Sequence, residues 1–277
     1  MLTILQALIL GTLQGVSELF PISSLGHSVL VPALLHWNID QSSDAFLSFV
    51  VLTHLATALA LLLFFYRDWA RIIRDLYRSF LNQRIETVHA RIGLLIVMSS
   101  LPVGLLGLLF QTKLQLLFAA PKLVALVLVG NGIMLFIAEW LCSSAQSGAD
   151  DRKLARMSWM QAFTIGLAQC LALIPGLSRT GVTMAAGLGN GFSRDNAARY
   201  SFLLATPVIF AAALLKVPRI ITHHGEWSPA LVGFCAAFIA AYLSVRYLTT
   251  YFQTKTLRPF ALYCIVAGIV SLVLLTM

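Results

Sequence analysis

The chain has 277 residues, 59% hydrophobic and 11% charged, with a mean hydropathy of +0.86. A soluble domain carries about 25% charged residues, so the composition excludes one and specifies an integral membrane protein. Nineteen basic against eleven acidic residues give +8; with no aromatic-interleaved basic patch, this excess reads as cytoplasmic loop charge and excludes a nucleic-acid surface.

Residues 2–20 predict a first helix that ends near Pro21. It lacks the basic flank of a cleavable signal, and the absence of Lys or Arg before Arg67 predicts a non-cytoplasmic N-terminus. A second short helix starts at Ser23 or Ser24 and runs to about His36. Each is too short or too broken to cross alone, so the two read as a re-entrant pair. Residues 37–45 form a polar loop. Residues 46–66 form a clear span, with His54 inside it as a helix-packing hydrogen-bond donor or a cavity-facing group.

Residues 67–91 carry Arg67, Arg71, Arg74, Arg78, Arg84 and Arg91, the strongest cytoplasmic signal in the chain. Residues 92–112 return outward, and Lys113 and Lys122 flank a short loop. Residues 123–141 cross inward to Glu139 and Trp140, where Glu139 is expected to snorkel. Residues 142–156 form a polar linker that divides one membrane domain into halves 1–141 and 157–277. Residues 157–178 are uncharged and broken at Pro175-Gly176. A glycine-rich stretch, 176–191, leads to Ser193 as the N-cap of a helix over 194–215, with Arg194 and Asp195 capping it at the interface. Residues 216–228 make an outer loop with solvated His223 and His224. Residues 229–245 cross inward, Arg246, Lys255 and Arg258 mark a second cytoplasmic loop, and 259–277 form the last span. Cys142, Cys170, Cys235 and Cys264 form no CxxC pair and read as packing residues. The expected fold is an all-α polytopic membrane protein of about six transmembrane helices plus two re-entrant helix pairs.

The two pairs look repeated. Residues 6–14 (QALILGTLQ) and 161–169 (QAFTIGLAQ) share Gln, Ala, Gly and Gln at an offset of 155, and Pro21 and Ser24 match Pro175 and Ser178 at 154. Three spans between the copies would invert the second relative to the first, as in broken-helix membrane architectures.

The chemistry concentrates in the two breaks. Gln14 and Glu18 share one helix face, and Ser23, Ser24 and His27 follow across Pro21. A Ser with a His three residues later can form a nucleophile–base pair. The second break offers Gly176, Ser178, Arg179, Thr180 and Thr183. Helices starting at Ser24 and Ser178 would aim free N–H groups at the gap, and Arg179 adds a planar fork, which suits a phosphate or diphosphate. A structural Glu18–Arg179 pair, and serines bonded back to their own carbonyls, are the plainer readings of the same residues.

At these residues the chain resembles the undecaprenyl-pyrophosphate phosphatase family, the bacitracin-resistance enzymes. The family pattern (E/Q)xxxE followed by PxSSxGH reads here Gln14-Gly-Val-Ser-Glu18 and Pro21-Ile-Ser-Ser24-Leu-Gly-His27. Its PGxSRSxxT reads Pro175-Gly-Leu-Ser178-Arg179-Thr180-Gly-Val-Thr183. Gln14 stands where many members have Glu, and Thr180 replaces the usual Ser.

The resemblance implies hydrolysis of undecaprenyl diphosphate at the periplasmic face of the bacterial inner membrane, recycling the carrier for peptidoglycan synthesis. In that reading Glu18, Ser24, His27 and Arg179 are catalytic, with either Ser24 or His27 as nucleophile. Gln14, Ser23, Ser178, Thr180, Thr183 and Gly176 bind substrate. Glu18 and Gln14 are the candidate ligands of a divalent cation, Mg²⁺ or Ca²⁺. Expected partners are the polyprenyl diphosphate, membrane lipids and, in a homodimer, a second copy; nucleic acid is not expected. The alternative is a lipid flippase or secondary transporter built on the same repeats.

Overall fold

The computed structural model describes residues 2–116, 120–141, 151–222 and 227–277, with side chains described over 2–110, 120–141, 153–214 and 227–277. Among the described residues there are helices and turns but no strand. The expected loop histidines His223 and His224, Lys113, Cys142 and most of the 142–156 linker lie outside the side chains described.

The first helix, α1 (Ile4–Ser17), opens with a capping box between Thr3 and Gln6. Its 14 residues reach about 21 Å, short of the roughly 30 Å apolar core of a bilayer. It ends earlier than the expected residue 20. Glu18 is its C-cap, and Pro21, lacking an N–H, stops the ladder from continuing. After a tight turn, α2 (Ser24–Leu34) packs back on α1. Phe20, at the tip of this hairpin, stacks on Tyr247 and meets Phe260 edge-on.

The chain continues through α3 (Asp44–Phe64), α4 (Tyr66–Asn82), α5 (Val88–Leu116), α6 (Pro121–Leu141) and a short α7 (Asp151–Ala155). The second hairpin is α8 (Trp159–Cys170), a 3₁₀ turn at Leu171–Leu173, and α9 (Arg179–Gly189). Then come α10 (Arg194–Thr222), α11 (Trp227–Tyr251) and α12 (Arg258–Leu274). Helices α3, α5, α6, α10 and α11 contain stretches long and apolar enough to cross a membrane. The sixth expected span, α12, is apolar but has 17 residues, about 26 Å of helix.

Two expectations change here. The arginine-rich stretch is not a loop; most of it is α4. Glu139 does not snorkel. It is buried, accepts a bidentate grip from Arg194 and a hydrogen bond from Leu257 N (3.0 Å). Glu139 therefore joins α6 to α10 and to the start of α12, and Arg194, as its partner, does more than cap an interface.

The repeat is visible in local geometry. Thr3 and Ser158 both open capping boxes and lie 155 residues apart. Helices α2 and α9 both have 11 residues, and their N-caps, Ser23 and Ser178, accept from Gly26 N and Gly181 N. The offset therefore stays at 155 through the break. Ser23, not Ser24, is the counterpart of Ser178, because the N-cap and not the proline sets the register.

The halves exchange their hairpins. Helix α1 packs on α11 and α8 on α5, while α3 meets α10 and α6 meets α12. A Cβ on Gly11 would lie 2.3 Å from Gly233 O, and one on its counterpart Gly166 2.5 Å from Ser99 O. Only small residues permit such close helix approach.

Candidate active site

The two hairpin breaks meet. Ser23 adopts φ 70°, ψ 99°, a conformation costing a non-glycine residue on the order of 1–3 kcal/mol. Its hydroxyl accepts from Gly26 N at 3.1 Å in its own helix and from Gly176 N at 3.2 Å in the other hairpin. Gly176 has φ 105°, and a Cβ there would lie 2.7 Å from Val124 O. Asn131, fully buried on α6, ties both breaks. Its Nδ2 donates to Pro21 O (3.0 Å), and its Oδ1 accepts from Ser178 N (2.9 Å). Thr180 Oγ1 donates to Glu18 O at 2.9 Å. Each of these buried backbone groups would otherwise lack a partner inside the membrane.

Glu18 lies at the centre, 6% exposed. Its Oε1 accepts from Arg179 through Nη2 at 2.8 Å and Nε at 3.3 Å. Its Oε2 accepts from Ser24 Oγ at 2.5 Å and Gln14 Nε2 at 3.0 Å, and His54 Nε2 lies 3.2 Å away. A buried carboxylate is tolerated only with such a set of charged and neutral donors. Arg179 Nη1 also reaches Ser201 O at 3.4 Å. Because Ser24 and Arg179 each occupy the first turn of a new helix, the orphan N–H groups of α2 and α9 open beside them.

His54 thus belongs to the site and is more than a packing group. Its Nδ1 is 2.7 Å from Val50 O, one helical turn back, which fixes the ring and turns Nε2 toward Glu18. The expected Ser24–His27 pair does not form, and Glu18 does not orient His27. His27 Nδ1 instead donates to Ser23 O (2.7 Å), since a carbonyl only accepts. Its Nε2 is 2.8 Å from Tyr263 OH, with the rings stacked. Ser24, one residue past the N-cap, reaches Glu18 instead, while His27 reaches Tyr263.

The remaining expected residues brace the site. Ser178 Oγ caps α9, and Thr183 Oγ1 donates to Arg179 O (2.8 Å) and bonds Ser201 Oγ (2.6 Å). Sequence reasoning missed Asn131, Ser201 and Tyr263. Each is a single polar side chain in an apolar helix, without a spacing that announces it.

Among the described residues no group of three or more His, Cys, Asp or Glu could hold a metal ion. Both Glu18 oxygens are occupied, one by a guanidinium, and Gln14 donates to Glu18 where a shared ligand would face it. Glu18 and Gln14 offer a cation at most two protein side chains, so substrate oxygens and water would have to supply its other ligands. Gln14 Oε1 is buried and has no hydrogen-bond partner among the described residues.

The sequence model described as bacitracin resistance protein BacA matches residues 7–270. A protein of Mycolicibacterium paratuberculosis named undecaprenyl-diphosphatase is 44% identical over 300 residues, covering 100% of this chain and 98% of that one. Undecaprenyl-diphosphatase 2 of Chromobacterium violaceum is 42% identical over 275 residues, 97% of each chain. Undecaprenyl-diphosphatase of Acidiphilium cryptum is 42% identical over 283 residues, 99% of each. With the motif residues of both hairpins gathered around Glu18 and similarity running the length of the chain, this protein belongs to the BacA bacitracin-resistance family.

Proposed function

We infer that the protein is an integral-membrane phosphatase that hydrolyses undecaprenyl diphosphate to undecaprenyl phosphate and inorganic phosphate. The observation that carries the reading is the contact of one buried carboxylate, Glu18, with a hydroxyl from its own hairpin, Ser24, and a guanidinium from the other, Arg179.

In this reading Ser24 Oγ attacks the terminal phosphorus and its proton passes to Glu18 Oε2. The bond from that phosphorus to the bridging oxygen breaks, and polyprenyl phosphate leaves. Water then cleaves the phosphoserine and restores Ser24. Arg179 is shared between two anions. Without substrate it holds Glu18; with substrate its fork turns to the transferred phosphoryl group, where charge is spread over the oxygens. Glu18 is then left with Ser24 as its reacting partner. The N-termini of α2 and α9 complete the clamp on the diphosphate. His27 holds the strained carbonyl of Ser23 and so positions Ser24 from behind.

A divalent cation would enter as a companion of the diphosphate, with Gln14 and Glu18 the residues able to assist it, as is usual for Mg²⁺ in phosphoryl-transfer sites. It would neutralise part of the substrate's charge. The prenyl tail lies among lipid-facing helices. In this reading the protein sits in the bacterial inner membrane with its site open to the periplasm, which the basic segments 67–91 and 246–258, taken as cytoplasmic, support.

Purified protein in detergent should release phosphate from farnesyl diphosphate. Ser24→Ala and Glu18→Gln should lower the rate at least about 10³-fold while the proteins remain folded, and acid quenching of the wild-type reaction should trap phosphoserine. Near-normal turnover by Ser24→Ala would refute the nucleophile assignment. A pure transporter would release no phosphate at all.

A further inference from the structure

Helix α4 follows α3 after a single residue and leads through a short turn to α5. Both neighbours contain stretches able to cross a membrane, so α4 sits where two spans leave the bilayer. At 100° per residue its side chains sort into three stripes.

One stripe faces the protein. Ile72 and Asp75 on it are buried, and Asp68 accepts from Arg199 of α10 at 2.8 Å. The second is apolar and uncovered: Tyr66, Ile73, Tyr77, Phe80 and Leu81 are 54–81% exposed. The third is a row of arginines, Arg67, Arg71, Arg74 and Arg78, running about 17 Å along the helix. Arg67 turns back onto Tyr66 and Arg74 onto Asp75. Arg71 and Arg78 are exposed and make no hydrogen bond or ion pair among the described residues.

We propose that α4 lies flat in the membrane interface and binds anionic phospholipid headgroups along its arginine row. A helix lying in the interface needs an apolar stripe, sunk toward the acyl chains, beside a cationic stripe at headgroup level. Helix α4 presents both, on the two sides that the protein leaves free. Its attachment to two spans fixes its depth, and the charge complements an anionic leaflet. A soluble partner would have to cover five large apolar side chains at the level where lipid already stands. The proposal is independent of the phosphatase reading, because none of these residues touches Glu18, Ser24 or Arg179.

The test uses full-length protein in vesicles of phosphatidylcholine and phosphatidylglycerol. After mild detergent extraction, each Arg→Gln change should weaken retained phosphatidylglycerol roughly fivefold, so about 25-fold for R71Q/R78Q. Retained phosphatidylcholine should not change, nor should phosphate release from farnesyl diphosphate in detergent. Equal retention of phosphatidylglycerol by variant and wild type would overturn the proposal. A spin label at Phe80→Cys gives a second reading. Faster collision with oxygen than with a water-soluble nickel chelate is expected, and the reverse order would place α4 in water and defeat it.

Discussion

Gln14 turns its amide N–H toward Glu18 and leaves its carbonyl buried, without a partner among the described residues. Replacing it by Glu would put a second carboxylate in contact with Glu18 and remove the donor between them. Like charges that close repel unless something neutralises them. We expect Gln14→Glu to make phosphate release depend on a divalent cation far more steeply than wild type, with at least about a tenfold loss on chelation that Mg²⁺ restores; titration of activity against free Mg²⁺ checks this. At this scale the sequence was informative where spacing or motif carried a signal. Glu18, Ser24 and Arg179 were legible because they flank the two backbone breaks. His54 was not, because a lone imidazole in an apolar helix has no periodic companion, and only the arrival of α1 beside α3 gives it a carboxylate. The Ser24–His27 pairing misled for a related reason. Helical spacing puts two side chains near one face, but it cannot show that Ser23, held at positive φ, offers its carbonyl to His27 first.

Helix α1 carries Gln14 and Glu18, so its seating on α11 sets where the carboxylate stands. Gly11→Ala would drive a methyl into Gly233 O. We expect α1 to lift from α11, with a loss of about 1–3 kcal/mol and a matching loss of turnover, read from thermal unfolding in detergent. Gly104→Ala, where a Cβ meets nothing within 4 Å, should be silent in both assays. Helix α4 depends on a different contact. Burial alone would raise the Asp75 carboxyl, but hydrogen bonds from Arg74 and Thr87 outweigh it and hold the group below the ordinary carboxylate value. A carboxylate lowered in the folded state stabilises above its unfolded value, near 3.9, and loses that contribution as pH falls through the lower folded one. Below about pH 4, the α4–α5 contact should therefore loosen before the span bundle does. Faster hydrogen exchange in α4, absent from Asp75→Asn, would report it. The helix itself was legible in the spacing of Arg67, Arg71, Arg74 and Arg78, but charge density alone made the stretch read as loop.

The whole molecule is two similar halves that lend each other a hairpin. Each hairpin packs on a span of the opposite half, so no half can assemble the site by itself. The repeat was legible in the shared Gln, Ala, Gly and Gln of α1 and α8, and its inversion is what counting an odd number of spans between two re-entrant pairs leads one to expect. The one-residue error in register was not, because a proline marks a break without saying which residue caps the next helix. The same counting, joined to the positive-inside rule, makes the sidedness of the protein testable. Helix α3 ends where α4 begins its arginine row, and α11 ends near Arg246, Lys255 and Arg258. With α12 counted as a sixth crossing beside the five long apolar helices, and both hairpins as re-entrant, the start of α1 and the end of α12 would lie together, on the side opposite both basic segments. If positive charge marks the cytoplasm, both chain ends face the periplasm. A periplasm-active alkaline phosphatase fused after Met277 should then be active and a fluorescent protein there dark, with both results reversed for fusions inserted after Arg84. Activity in the opposite pattern would turn the molecule over. It would place α4 on the outer leaflet and open the diphosphate site to the cytoplasm, with the order and packing of the helices unchanged.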